Sequence, residues 1–119
     1  MAFISTERKN GDAMQYVIDM VPTKRVTVIP VSLNDTGARK FTFALVNGGA
    51  PYVLTAETVE YLQQGGIVHP CVVSNGVAEL DCYADMTATA GAYRCKLRIT
   101  DTSGVLNTAA FILKVEGGA

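Results

Sequence analysis

The sequence predicts an all-β fold, an antiparallel Ig-like β-sandwich of seven to eight strands preceded by a flexible N-terminal arm. Three observations predict it. Short runs alternate apolar and polar residues with a period of two, clearest at Lys40–Leu45 (KFTFAL), where Phe41, Phe43 and Leu45 share one side and Lys40, Thr42 and Ala44 the other. Clusters of Gly, Asn and Asp punctuate these runs roughly every ten residues, the spacing of a sandwich rather than of an α/β fold. Finally, 119 residues at 49% apolar and 18% charged suit one globular domain with one core. "Ig-like" denotes architecture alone here, because the chain has no Trp to sit between paired cysteines.

In chain order, residues 1–12 are polar and mixed in charge and read as the arm. The sandwich takes residues 13–116, and 117–119 form a tail or linker. Asp12 to Val21 fits two patterns. Met14, Val17, Ile18 and Val21 have helical spacing behind an Asp12 cap, whereas Tyr16, Ile18 and Met20 alternate in a β-rich run; the β-branched content favours a strand, ended by Pro22. Lys24–Leu33 is a second strand. Val26, Val28 and Pro30 lie on one side and Thr27, Ile29 and Val31 on the other, and Pro30 assigns it to an edge or a bulge. Asn47-Gly48-Gly49 closes the Phe41 strand and leads through Pro51 to Tyr52-Val53-Leu54.

Thr58–Gln63 alternates Val59 and Tyr61 against Thr58, Glu60 and Leu62, and Gly65-Gly66 breaks it. Ile67–Val73 and Val77–Tyr83 flank Ser74-Asn75-Gly76, a strong hairpin signal, with Ala78, Leu80 and Cys82 on one side of the second run. Asp85–Ala88 suits one helical turn capped by Asp85. Tyr93, Cys95, Leu97 and Ile99 then alternate with Arg94, Lys96, Arg98 and Thr100, apolar in and cationic out. Asp101–Gly104 is a turn, and Val105–Val115 the last strand, with Ala109, Phe111 and Leu113 inward.

No constellation for catalysis, a cofactor or a metal stands out. His69 is the single imidazole and precedes a proline, and no GxSxG elbow accompanies it; a loop or interface role is expected. Acidic pairs such as Asp81 and Asp85 suit turn chemistry better than calcium binding. Cys71, Cys82 and Cys95 lack ligand spacing and read as free, packed thiols, with a Cys82–Cys95 bridge between neighbouring strands as the alternative. The Arg94, Lys96, Arg98 stripe could meet an acidic partner or a phosphate, and reads better as a solvated face paired across strands with Glu79 and Asp81. Tyr52, beside Pro51, is the candidate ligand platform. The expected interface is the apolar edge of Tyr16, Ile18, Met20, Ile29, Pro30 and Val31, because apolar content is high and charge low for the chain's size.

A formal net charge of −1 supplies no long-range field for nucleic acid or an anionic membrane, so neither is an expected partner. No run nears the ~18 apolar residues of a membrane span, and the N-terminus lacks the basic-then-apolar pattern of a signal peptide. Synthesis and folding in a cytoplasm are expected.

Seven signals in order resemble a known family. They are Tyr16-Val17-Ile18-Asp19-Met20, Asp35-Thr36-Gly37, Phe41-Thr42-Phe43-Ala44-Leu45, Gly49-Ala50-Pro51-Tyr52-Val53-Leu54, Val73-Ser74-Asn75-Gly76, Gly91-Ala92-Tyr93 and Asp101-Thr102-Ser103-Gly104. The order is similar to that of the N-terminal Ig-like domain of the phage upper baseplate protein (BppU-type) family, from tailed phages of Gram-positive hosts. Members head longer proteins with helical linkers and receptor-binding or fibre modules; this chain stops at Ala119 and adds the arm, as a single domain or a short stand-alone virion protein would. The resemblance implies a non-enzymatic structural adaptor of a bacteriophage virion, in a baseplate, tail or head fibre, assembled in the host cytoplasm. It would self-associate, with a trimer expected, and dock to another tail, baseplate or capsid protein. The alternative is a carbohydrate-binding or adhesin-like Ig module that recognises a cell-surface polysaccharide.

Overall fold

The computed structural model describes residues 14–22, 26–37 and 39–117. The expected arm at 1–12, the Asp12 cap, Lys24 and the end of the tail lie outside them. The described residues form ten strands: β1 (Met14–Asp19), β2 (Val28–Ser32), β3 (Lys40–Asn47), β4 (Ala50–Tyr52), β5 (Thr58–Gln63), β6 (Ile67–Ser74), β7 (Val77–Asp81), β8 (Gly91–Asp101), β9 (Gly104–Asn107) and β10 (Phe111–Glu116), with one 3-10 turn at Ala84–Met86. Their order is β1-β3-β7-β6-β5-β8-β10-β2, with β4 beside β3 and β9 beside β8.

The layers are joined through β6. Its first half, Ile67–Cys71, pairs with β5, and its second half, Val72–Ser74, with β7. A strand that changes sheets makes the corner of the sandwich. Pro70 sits opposite Glu60 in the first half, where β7 does not pair, so its missing N–H has a place to be absent. One layer then reads β1-β3-β7-β6 and the other β5-β8-β10, the immunoglobulin arrangement of A-B-E-D over C-F-G.

Two features depart from expectation. β1 pairs with β3, and β2 with β10, in parallel rather than antiparallel fashion. After β1 the chain crosses to the other layer, forms β2 and returns to β3, and such a crossover is what parallel pairing needs. Second, the run Val105–Val115 is two strands. Arg98 faces Asn107 while Cys95 faces Phe111, so the register along β8 steps by one residue between them, a β-bulge at Thr108–Ala110. Thr108 holds the bulge: its N–H donates to the Leu97 carbonyl at 3.0 Å, and its Oγ1 accepts from the Leu97 N–H at 3.1 Å. Together with the short β4, this split raises the expected seven or eight strands to ten.

The alternation read from the sequence sets the core. Phe41, Phe43, Leu45, Val59, Tyr61, Ala78, Leu80, Leu97, Ile99, Phe111 and Leu113 are all buried. Aromatic rings run through it as a chain: Tyr16 to Phe41 at 6.4 Å, Phe41 to Phe43 at 6.3 Å, Phe43 to Phe111 at 5.5 Å and Phe111 to Tyr61 at 6.2 Å. The Phe43–Phe111 step crosses from one layer to the other, at tilted geometry favoured by ring quadrupoles. At the end of the chain the Tyr61 hydroxyl donates to Gln63 Oε1 at 2.6 Å and lies 3.2 Å from Cys95 Sγ, while Gln63 Nε2 donates to the Met86 carbonyl at 3.2 Å. Among the described residues no buried side-chain nitrogen or oxygen lacks a partner.

Asn75 and Gly76 both take positive φ, 55° and 83°, the left-handed pair that a tight hairpin between β6 and β7 requires. A Cβ on Gly76 would also come within 3.0 Å of Val53 Cγ1. The helical turn falls one residue earlier than expected: Asp85 lies inside it and Tyr83 precedes it.

All three cysteines are free thiols. Cys82 follows β7 in one layer and Cys95 sits on β8 in the other, and β7 and β8 are not neighbours, so the alternative bridge has no adjacent strands to join. Burial pushes the Cys71 thiol up to about 12, and burial with the nearby Asp35 carboxylate pushes Cys82 up to about 11, from the ordinary 9.0.

Two predictions follow from this core. Phe43→Ala removes the ring that bridges the layers and should cost about 3–5 kcal/mol in denaturant unfolding. A thiol whose pKa rises on folding keeps its proton in the native state after the unfolded chain has lost it. Stability should therefore be complete below about pH 9 and fall as pH rises towards 11 and 12. Cys71→Ala should flatten that decline in urea midpoints measured across the range.

Candidate docking interface

The ends of the sheet order meet along one seam. β1 and β2 each have a neighbour strand on one side, and hydrogen bonds among the described residues also link them to each other and to the bulge. Thr27 Oγ1 donates to the Val17 carbonyl at 3.1 Å, and the N–H of Ala109, freed by the bulge, donates to the Asp19 carbonyl at 2.9 Å. These contacts draw the sandwich nearly closed and leave a shallow groove of about 190 Å³ lined by Val17, Asp19, Thr27, Val46, Ala109 and Phe111. The Asp19 side chain ties the end of β1 to the turn after β3, its Oδ1 accepting from the N–H groups of Val21 at 2.9 Å and Gly48 at 3.1 Å.

Of the expected interface residues, Tyr16, Ile18, Ile29, Pro30 and Val31 lie on these two strands and Met20 directly follows β1, but not all are on the surface. Ile18, Ile29 and Val31 are 2%, 1% and 4% exposed, and belong to the core. Tyr16 and Met20 are half-buried against it, and Pro30 is exposed. The solvent face carries the opposite register: Val17 at 53% and Val28 at 49%, with Val21 and Val26 also exposed. Both sides of Val26–Val31 are apolar in sequence, so alternation fixes the pairing of residues without saying which set is inside. The available signal was Pro30. A proline on an edge strand favours the solvent side, and Val28 shares that side.

Tyr52, the candidate platform, lies on β4 opposite Leu45, half-buried against the core. Tyr83 is the more exposed ring, and it stacks on His69 at 3.8 Å and 3°. His69 Nε2 meets Asp85 Oδ1 at 2.7 Å. Among the described residues no hydroxyl or thiol is hydrogen-bonded to this imidazole, and no group of three or more His, Cys, Asp or Glu is placed to hold a metal.

The cationic stripe is paired differently from expectation. Arg98 Nη2 and Nε donate to Glu60 Oε1 at 2.6 and 3.0 Å, across β8 and β5. Glu79 and Asp81 are on β7, in the other layer. There Asp81 accepts from Lys40 Nζ at 2.6 Å, and this hydrogen bond holds the ammonium above the ordinary lysine value. Arg94 and Lys96 have no charged partner among the described residues, and they flank a hollow of about 440 Å³ with Leu62, Gln64 and Ala110. On the outer face of the other layer a hollow of about 310 Å³ is lined by Val72, Glu79, Asp81, Pro70 and Tyr83.

No known protein-family profile matches the chain, and no curated protein matches its sequence. Among solved structures, the N-terminal domain of phage TP901-1 ORF48 is similar in fold, with a TM-score of 0.66 over 86% of this chain and 98% of that one, at 13% sequence identity.

Asp19→Ala should loosen the end of β1 from the turn after β3. The expected result is a loss of about 1–2 kcal/mol and faster hydrogen exchange at the Val21 and Gly48 amides, read by NMR.

Proposed function

We propose that this chain is a non-enzymatic structural adaptor of a bacteriophage particle, which self-associates and holds a neighbouring virion protein along the β1–β2 seam. The observation that carries the reading is the likeness in fold to nearly the whole N-terminal domain of phage TP901-1 ORF48. The seven ordered motifs, each placed at a turn or strand of this fold, support it further.

The adaptor would work mechanically. A strand with free N–H and C=O groups can accept an extended segment, and alternate apolar side chains of that segment would lie against Val17, Val28 and Pro30. The aromatic core behind the seam keeps that edge rigid, so little conformational freedom is lost on docking.

The test is mass spectrometry of purified particles, with the wild-type chain and a Val17→Asp, Val28→Asp double variant supplied in turn to a host that assembles them. Wild type should be present in particles. The variant should keep the wild-type unfolding midpoint, because both side chains face solvent, and should be depleted from particles by ~tenfold or more. A soluble wild-type chain that never enters particles would refute the reading.

A further inference from the structure

The two outer faces of the sandwich carry opposite charge, each set beside apolar residues, half-buried on one face and exposed on the other. On the outer face of the β5-β8-β10 layer, Arg94 and Lys96 project from β8. Leu62 pairs with Lys96 on one side and Ile112 with Arg94 on the other, so the two cations stand among apolar neighbours above the hollow that Ala110 and Gln64 complete. Neither cation has a charged partner among the described residues, whereas Arg98 nearby is satisfied by Glu60.

On the outer face of the other layer, Glu79 of β7 sits between Thr42 and Val72. Val72 is 65% exposed, high for a valine in the middle of a paired strand row, and Pro70 and Tyr83 are exposed beside it. Three carboxylates, Glu79, Asp81 and Asp85, face one lysine and one imidazole here, and Asp81 and Asp85 are already engaged by Lys40 and His69. The Glu79 side chain is exposed and makes no hydrogen bond or ion pair among the described residues, although its charge also acts on Lys40.

We infer that a second copy of this chain docks face to face, the Val72–Glu79 face of one copy lying against the Leu62–Arg94–Lys96 face of the next. The contact puts an apolar residue against an apolar residue and a carboxylate between two cations. The formal net charge of −1 leaves little general repulsion between copies. Because the two surfaces are different, the contact is heterologous: copies add head to tail, and the assembly forms a ring if each step turns enough to close it and a column otherwise. This inference deepens the self-association in the reading above and uses surfaces separate from the β1–β2 seam.

The test is sedimentation velocity with the full chain, alone and in mixtures. The wild type should associate more with rising concentration at low ionic strength and less in about 1 M salt, where charges are screened within ~3 Å. Arg94→Glu with Lys96→Glu, and separately Glu79→Arg, should each weaken association by ~tenfold or more while keeping the wild-type unfolding midpoint. Mixing these two variants in equal amounts should restore it, because every interface in an alternating assembly is again complementary. Wild type that stays monomeric into the millimolar range overturns the inference, as does a mixture no more associated than its components. Loss of particle incorporation by the seam variant with stacking intact concerns only the seam. Loss of stacking with incorporation intact concerns only this contact.

Discussion

The interlayer contact between Phe43 and Phe111, 5.5 Å apart, is the constraint on which the rest of the structure depends. A sandwich of this size has two sheets and one interior, and the two must be held at a fixed distance and rotation. Rings do this better than aliphatic chains because they fill more volume with fewer rotamers and prefer particular tilts. Phe41 and Tyr16 extend the contact outward through β3 to β1, and Tyr61 carries it to β5. At the Tyr61 end the apolar chain changes into a polar one. The hydroxyl, Gln63 and the Met86 carbonyl close a hydrogen-bonded set that fixes the 3-10 turn against the second layer. Nearby, Thr87 Oγ1 donates to the Asp35 carbonyl at 2.6 Å, so the turn after β2 is tied to the same set.

This arrangement explains why the seam can be lightly bonded. With the two layers fixed at the core and joined through β6, the β1 and β2 edges need only a few contacts to stay together. The bulge at Thr108–Ala110 supplies one of them by releasing the Ala109 N–H from the β8 ladder. The surface left at the seam is apolar and rich in valine. A rigid body with an adhesive edge suits a part that connects others, and this is how fold and proposed role fit together.

Much of this was legible in the sequence, and the limits follow from its chemistry. Where one side of a run is polar, as at Lys40–Leu45, Val77–Asp81 and Gly91–Asp101, alternation identified the buried apolar residues, with Thr42 buried on the other side as well. Where both sides are apolar, as at Val26–Val31, it identified the pairs but not the inside, and Ile29 and Val31 were expected at a surface they do not reach. Gln63 was hidden for the opposite reason: a polar side chain does not register in an apolar alternation, yet its position two residues after Tyr61 puts it inward, where the hydroxyl satisfies it. Parallel pairing and the bulge depend on how the chain crosses between layers, and no local pattern records that. The pairing of Arg98 with Glu60 rather than with Glu79 is likewise decided by which strands become neighbours.

Ile29 lies opposite Leu113, and Pro30 opposite Lys114, so a strand near the start of the domain waits for one at its far end. During synthesis, β2 would leave the ribosome with one flank bare and a row of valines and isoleucines uncovered until β10 follows. The layer can close only once both strands have been made, by slow closure over a long loop rather than piece by piece. The proline within β2 then has a second use, as a guard that discourages the waiting edge from pairing with another nascent chain.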